Sequence, residues 1–357
     1  MKKLLCCLLA ALFICASCSM GEEIDTLGIV VGAAFDKPVN PGDINMTACI
    51  LRVSGSGGGS SVGTGASSGG AKEYMVVNSE APSFYEAQSR LMLKVERRPF
   101  WGHNNIIIAA RDVNLKPIIE AFYNGYEKRG SEFVVIAKDN AAAALNSANF
   151  MGNVGAVSVS EVLTMTGQNG YITDVNVHEL FSKMNARSRA AYVPYGQTAN
   201  GNFDFLGMCV LRDYVFLSPL SGDETIGAMI VLGDYKSGGI SVPLTGAVAG
   251  AELLETSCSV GCSKDKVFDI RVKASYSVQD VNGETDENND EVAGRVDDRI
   301  KMMIESAIQK SKDLNADFMG FSDDYFKKYA CDMPGGLAGA TFNVTVDGKL
   351  MFKGIEY

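Results

Sequence analysis

The residues of this chain whose chemistry is easiest to interpret are the first eighteen. Two lysines, Lys2 and Lys3, precede an apolar run over residues 4–14, and small residues stand directly before Cys18. Charged, apolar and small residues in this order are typical of a secretory signal. A cysteine directly after them is typical of a bacterial lipoprotein, in which the sulfur is lipidated and the cysteine becomes the new N-terminus. We therefore predict a cleaved signal peptide over 1–17 and lipidation of Cys18.

The apolar run is too short to cross a membrane as a helix. A spanning helix needs about 20 apolar residues, and no later segment of the chain has such a run. The lipid would therefore hold the protein at the outer face of a membrane. An uncleaved signal anchor is the alternative. Cys15 is the weaker candidate for lipidation because the larger Ile14 precedes it.

Five cysteines follow Cys18, so any set of disulfides leaves one thiol free. They are Cys49, Cys209, Cys258, Cys262 and Cys331. The four-residue spacing of Cys258 and Cys262 allows a small local disulfide, and it resembles neither a zinc site nor a redox motif. Cys49 and Cys209 lie in apolar runs, and we interpret both as core residues.

Groups that could carry out catalysis are scarce. The two histidines, His103 and His178, lie in separate elements, and we expect them to bond backbone or face solvent. Nucleophile elbows, phosphate-binding loops and HExxH motifs do not occur in the sequence. We interpret the acid pairs Asp297-Asp298 and Asp323-Asp324 as solvated faces. The sequence predicts no enzyme activity, no metal site and no cofactor.

Composition restricts the partners. Of the 357 residues, 46% are hydrophobic and 21% are charged, which is typical of a folded body. The net charge is −10, and loss of Lys2 and Lys3 with the signal would make it −12. Such a surface repels phosphate, which argues against nucleic acid and against direct lipid docking.

The pattern of apolar residues predicts an α+β fold with several domains, in which mixed or antiparallel sheets are flanked by helices. A strand over 24–36 and its partner over 44–53 precede a flexible Gly/Ser loop at 54–70. The sequence further predicts a Ser83-capped helix, a hairpin around Arg212-Asp213, a strand over 268–278, a solvated loop over 280–291, a helix over 295–314 and a terminal hairpin around Asp347-Gly348. We divide the chain into a signal peptide (1–17), an N-terminal α/β domain (18–198), a middle domain (199–254) and a C-terminal α+β domain (255–357).

Several segments together resemble the Ger(x)C family, the lipoprotein C subunits of spore germinant receptors. The resemblance begins at Cys18 and the following GEEIDTLGIVVGAAFD, and it is sharpest over LGMCVLRDYVFLSPLSGDETIG at 206–227. Weaker matches lie at 89–91, 102–108, 177–194 and 316–321. The chain departs from the family pattern at Ser17-Cys18-Ser19, where the family has Gly-Cys-Trp, in the insertion at 54–70, and in the Gly-rich stretch 331–340, where the family is aromatic.

The resemblance implies a lipoprotein on the outer face of the spore inner membrane. It would assemble with an A subunit and a transporter-like B subunit into a receptor for amino acids, sugars or nucleosides. A solute site on the C subunit itself is not implied, so direct small-molecule binding stays open. Two other classes are alternatives: a solute-binding lipoprotein of a transporter, with a cleft between domains, and an exported hydrolase, for which no nucleophile and base are found.

Overall fold

A computed structural model gives the fold of most of the chain. It describes residues 26–51, 74–125, 127–147, 154–165 and 170–353. The predicted signal peptide, Cys18 and the Gly/Ser loop at 54–70 lie outside these residues.

The first part of the described chain mixes strands with short helices. Its strands are β1 (Leu27–Asp36), β2 (Ile44–Leu51), β3 (Tyr74–Ala81), β4 (Arg98–Phe100), β5 (Ile106–Ala110), β6 (Phe133–Ala137), β7 (Ala190–Ala199), β8 (Asn202–Arg212) and β9 (Val215–Pro219). Its helices are α1 (Phe84–Met92), α2 (Lys116–Asn124), α3 (Ala141–Leu145), α4 (Gly155–Thr164) and α5 (Val177–Asn185).

The second part has longer elements. They are α6 (Gly222–Leu232), β10 (Gly238–Leu244), β11 (Ala247–Cys262), β12 (Val267–Gly283), α7 (Asn289–Asp313), α8 (Phe321–Tyr329) and β13 (Thr341–Lys353). The strands of the two parts form two separate sheets. The fold is therefore mixed α+β, which is the fold class that the sequence predicts.

The larger sheet has nine strands in the order β3-β2-β1-β5-β6-β7-β8-β9, with β4 beside β1. Its centre is parallel: β5 pairs with β1 and β6, and β6 pairs with β7. On either side of this centre the strands pair antiparallel, β3 with β2 and β2 with β1 on one side, and β7 with β8 and β8 with β9 on the other. The predicted pairing of the first two strands is confirmed, with Phe35 opposite Met46. Central strands such as β5 are buried along their whole length, as expected for parallel strands covered on both faces.

The predicted hairpin within 205–217 is also confirmed, although its turn lies one residue later. Strands β8 and β9 pair antiparallel across Asp213 and Tyr214. Both turn residues have positive φ, 51° and 66°, as a two-residue hairpin turn requires. Asp213 also accepts from Arg189 Nε, directly before β7, at 2.6 Å.

The smaller sheet has the order β10-β11-β12-β13, and its last strand corrects a prediction. The predicted terminal hairpin around Asp347-Gly348 is wrong, because β13 runs straight through both residues and lies parallel to β12. Gly348 serves packing instead of a turn. Its N–H donates to Asp297 Oδ2 at 3.2 Å, and an added Cβ would overlap that carboxylate.

The long strands β11 and β12 also show that two predicted boundaries are misplaced. The predicted solvated loop at 280–291 is partly strand, because β12 continues to Gly283. The predicted division at 254/255 falls inside β11, which pairs with β12 on both sides of that point. Residues 199–254 are therefore not a separate middle domain. Strands β8 and β9 belong to the large sheet, and β10 with the first half of β11 belongs to the small one.

Charged side chains from neighbouring helices cover several sheet edges. Lys94 Nζ, just beyond α1, and Arg90 Nη1 of α1 donate to the β3 carbonyls of Asn78 and Glu80, at 2.7 and 2.8 Å. On the other sheet, Arg299 Nε of α7 donates to a carbonyl of β10 at 3.2 Å. Unpaired edge groups invite pairing with other chains, and covering them with charge protects the fold from aggregation.

Helix α6 joins the two sheets, and it is buried from Thr225 to Val231. It crosses α7 at Gly227, where an added Cβ would overlap the main chain of Met303 and Ile304. Only glycine lets the two helix backbones approach this closely. The crossing lies at the seam between the two sheets.

Replacement of Gly227 by alanine should therefore destabilise the whole molecule. The new methyl would force the helices apart, and we expect the free energy of unfolding to fall by at least about 2 kcal/mol. Gly294→Ala in α7 is the matched control, since nothing lies within 4 Å of its added Cβ. That change should leave stability equal or raise it by up to about 1 kcal/mol. Urea unfolding of both variants measures this, and equal stabilities would contradict the proposed crossing.

Candidate sites for anchoring and assembly

The described chain begins at the end of the large sheet where strand β1 starts. Leu27, the first residue of β1, pairs with Arg98 of β4, and it lies nine positions after Cys18 in the sequence. Nine residues span at most about 30 Å when fully extended. A lipid on Cys18 would therefore keep this end of the sheet within about 30 Å of the membrane surface.

This same end carries an exposed apolar pair. Gly28 and Leu51 line a shallow groove with Lys94 and Arg97, so the segment after α1 lies beside the start of β1. Leu93, next to that groove, is 86% exposed, and Met92 is 47% exposed. Met92 and Leu93 therefore add exposed apolar surface to this end of the molecule.

The local disulfide that the spacing of Cys258 and Cys262 allows is not formed in this fold. Both residues are free thiols on the single strand β11. Residues four apart in a strand are about 13 Å apart, and a disulfide requires Cα atoms within about 7 Å. The extended backbone of β11 therefore holds the two thiols too far apart to join.

The interpretation of Cys49 and Cys209 as core residues agrees with the structure. Cys49 and Cys209 are fully buried in the core. Burial raises the pKa of Cys49 to about 12, and it raises the pKa of Cys258 to about 11. Thiols in such surroundings are unreactive, because the thiolate is the nucleophile. Cys331 is the exposed thiol of the described residues.

The two histidines lie on either side of one arginine. His103 Nδ1 is 3.4 Å from Arg129 Nη2, and His178 Nε2 is 3.1 Å from the Arg129 carbonyl. His178 is exposed at the start of α5, as predicted. Across the described part of the chain, no three residues among His, Cys, Asp and Glu come together in a group that could hold a metal ion.

The segment with the sharpest family resemblance, 206–227, builds the seam between the sheets. Ser221 and Glu224 form a reciprocal cap at the start of α6, with bonds of 3.2 and 2.7 Å. Asp223 accepts two bonds from Arg299 of α7, at 2.9 and 2.7 Å. Such a two-bond carboxylate–guanidinium pair fixes both distance and orientation. The residues of the motif therefore hold helices together, and none of them forms part of a catalytic arrangement.

Sequence reasoning missed Arg299 and misjudged two acids. Nothing in the sequence links Arg299 to Asp223, which lies 76 residues earlier. The interpretation of both acid pairs as solvated faces is wrong for Asp297, which accepts from Tyr276 Oη at 3.1 Å. It is also wrong for Asp323, whose carboxylate accepts from the backbone N–H of Arg187 at 2.7 Å.

A further buried acid caps helix α8. Asp317 is 6% exposed, and its carboxylate accepts from the N–H groups of Phe321 and Ser322 at 3.0 and 2.6 Å. Burial raises the pKa of this carboxyl, while the two N–H bonds act against the shift. The weaker family match at 316–321 therefore also has a structural role, because its Asp317 caps the start of a helix.

Among the helices of the described residues, none combines the length and the apolar character that crossing a membrane requires.

Labelling of thiols should separate the cysteines by environment. In the folded protein at pH 8, we expect iodoacetamide to modify Cys331 first. Cys258 should react slowly, because a pKa of about 11 leaves about one thiolate in a thousand. Cys49 and Cys209 should react only after unfolding. Mass spectrometry of peptides checks this, and a crosslinked Cys258–Cys262 peptide from native protein would contradict the strand assignment.

The pair of Asp223 and Arg299 should show measurable coupling. A double-mutant cycle with Asp223→Asn and Arg299→Met should give about 1 kcal/mol, because Asp223 stays partly in contact with water. The control pair is Glu86 and Arg90, which are half exposed and one helical turn apart. Its coupling should be about 0.5 kcal/mol or less. Coupling at the seam no larger than at the control pair would argue against a role for Arg299 in holding the sheets together.

Comparisons with known proteins agree with this architecture. Residues 21–198 match the family described as spore germination protein N-terminal domain. Residues 206–335 match the family described as spore germination B3/GerAC like, C-terminal. No curated protein matches the chain significantly.

A solved structure shows the same fold. The crystal structure of the GerBC protein superposes with a TM-score of 0.52 and 14% sequence identity, over 92% of this chain and 100% of that one. At this identity the likeness concerns the fold alone. The two family matches cover most of the chain, which places it in a family of receptor subunits not known as enzymes. This chain belongs to the GerAC-like family of spore germination proteins.

Proposed function

We propose that this protein is the lipid-anchored C subunit of a spore germinant receptor, needed for receptor assembly and nutrient-triggered germination. Two observations support this proposal. The chain belongs to the GerAC-like family over both of its domains, and a lipoprotein-type signal precedes Cys18. The family membership carries the argument, and the signal sequence adds the mode of attachment.

A lipid anchor would act by confining the protein. A single acyl chain binds a membrane only marginally, whereas two or more hold it stably. A diacylglyceride on Cys18 would therefore keep the body beside its integral A and B partners. Confinement raises the effective concentration of the subunits, so that a weak contact between them suffices for assembly.

The end of the large sheet where strand β1 starts is the surface that would lie nearest these partners. Met92, the last residue of α1, and Leu93, which follows it, are exposed there. With a tether of at most about 30 Å, these side chains stay within reach of the extracellular parts of membrane-embedded subunits. We assign the first contact with the partners to this end.

The transporter alternative predicts a different construction. A solute-binding lipoprotein closes two domains over a cleft, and such closure needs a hinge. Here the two sheets meet through the buried α6, the close approach at Gly227 and the pair of Asp223 with Arg299. A packed seam of this kind favours a rigid assembly subunit.

The test is replacement of the lipidated residue in the full-length chain. Cys18→Ala should abolish incorporation of radiolabelled palmitate, release the protein from membranes and reduce nutrient-triggered germination severalfold or more. The matched control is Cys331→Ala, which removes an exposed thiol of the folded body. That variant should label, fractionate and germinate like the parent.

The readouts distinguish two kinds of failure. Normal palmitate labelling of Cys18→Ala would refute the lipidation site. Loss of the label together with normal receptor levels and normal germination would refute the role of the anchor in assembly. A germination trigger that acts without nutrients serves as a check that the spores themselves are intact.

A further inference from the structure

One stretch of strand edge in the small sheet is left open. Strand β11 continues to Cys262, but its pairing with β10 ends where Leu253 lies opposite Gly238. Beyond that point, within the part of the chain that the structure describes, β11 pairs with β12 on one side and has no strand on the other. We call residues 256–261 the open edge.

The direction of each backbone group on this edge follows from the ladder with β12. The N–H of Ser263 donates to a carbonyl of β12 at 2.9 Å, and the register is regular over this half of β11. In an antiparallel ladder every second residue points its N–H and C=O toward the neighbour, so Cys258 and Val260 point theirs outward. The Cys262 carbonyl agrees, since Lys328 of α8 bonds it from outside the ladder at 2.6 Å.

The outward groups of Cys258 and Val260 have no hydrogen-bond partner among the described residues. The outer edges of the same sheet are covered differently, because Arg299 bonds a carbonyl of β10 and Asp297 bonds an N–H of β13. The open edge reads Thr-Ser-Cys-Ser-Val-Gly and contains neither a charge nor a proline. Edges without such protection are suited to pairing with another strand.

Two copies of the open edge can satisfy each other. When the strands run antiparallel about a two-fold axis at Ser259, Cys258 of each copy lies opposite Val260 of the other. Each of these pairs exchanges both N–H···O bonds, so the pairing uses all the outward groups of the two residues. The added ladder ends there, because the next carbonyl, that of Cys262, is already bonded by Lys328.

The charges at the two ends of the open edge favour this antiparallel arrangement. Glu255 comes directly before the edge and is exposed. At the other end, Lys328 Nζ lies at the edge itself, and the turn after β11 is net positive, with Lys264, Asp265 and Lys266. The two-fold axis places the acidic end of each copy beside the basic end of the other. Opposite charges therefore meet at both ends of the pairing.

We propose that this protein forms a two-fold symmetric dimer through the open edge of β11. The small sheets of the two copies would join into one sheet across the axis, as in other isologous interfaces. A short row of edge bonds buries little surface, so the dimer is weak in dilute solution. Confinement at a membrane would strengthen it by raising the effective concentration. That strengthening rests on the proposed lipid anchor, whereas the pairing itself does not.

Cysteine trapping of the full-length chain in detergent tests the position of the axis. Cys331→Ala serves as the background, since Cys331 is an exposed thiol. In it, Ser259→Cys would place two thiols on directly opposed residues, whose Cα atoms are about 4.5 Å apart and within reach of a disulfide. The matched control is Ser257→Cys, an exposed serine of the same strand whose two copies would lie about 13 Å apart along the strands. With oxidised glutathione as oxidant, we expect Ser259→Cys to form a covalent dimer about tenfold faster or more.

Sedimentation equilibrium in density-matched detergent measures the association without a crosslink. We expect the mass of the parent chain to rise from monomer toward dimer as its concentration approaches about 100 μM. Ser259→Asp sets two carboxylates against each other at the axis and should weaken the dimer about tenfold or more. Ser241→Asp makes the same change of charge at an exposed serine of β10 and should associate like the parent.

Several results would overturn the proposal. They are a parent chain that stays monomeric up to about 100 μM, equal trapping of Ser259→Cys and Ser257→Cys, and unchanged association of Ser259→Asp. A monomeric parent would leave the open edge to a strand from another protein. Thermal unfolding of each variant checks that it folds, and if the Ser259 variants do not, sedimentation of the parent chain decides the question.

Discussion

The close approach of α6 and α7 at Gly227 is the contact on which the architecture depends. Two sheets of different size need a common surface, and a helix buried from Thr225 to Val231 supplies it. Its partner α7 is 25 residues long and packs along the small sheet. Without a side chain at position 227, main chain meets main chain, and packing at this density transmits any displacement of one sheet to the other.

Helix α7 also protects the small sheet at both of its edges. Arg299 bonds a carbonyl of β10 as well as Asp223, and Asp297 accepts from the Gly348 N–H of β13. Lys312 Nζ donates to the Ala340 carbonyl at 2.8 Å, just before β13 begins. One helix therefore packs the core, joins the two sheets and occupies edge groups that would otherwise attract another strand.

Several acidic residues that could take part in chemistry make structural contacts instead. Asp317 starts a helix, Asp323 holds a backbone turn and Asp297 supports an edge strand. The buried thiols fill the core.

The sequence by itself determined the local elements and the family. Apolar periodicity gave the β1–β2 pair and helix α7, and Ser83 was recognised as a cap, because these features depend on neighbours along the chain. The resemblance over 206–227 identified the family before any contact was known. Local rules also produce an error at Asp347-Gly348, which has the composition of a turn. Strand β13 passes through both residues, and Asp297 of α7 leaves no room for a side chain at Gly348.

Only the tertiary structure decided which distant residues meet. The distance between Cys258 and Cys262 depends on whether the segment is a strand or a loop, and pairing with β12 settles that. The bond of Asp223 with Arg299 arises from elements far apart in sequence. Periodicity reports which face of an element is buried, but it carries no information about which other element covers that face.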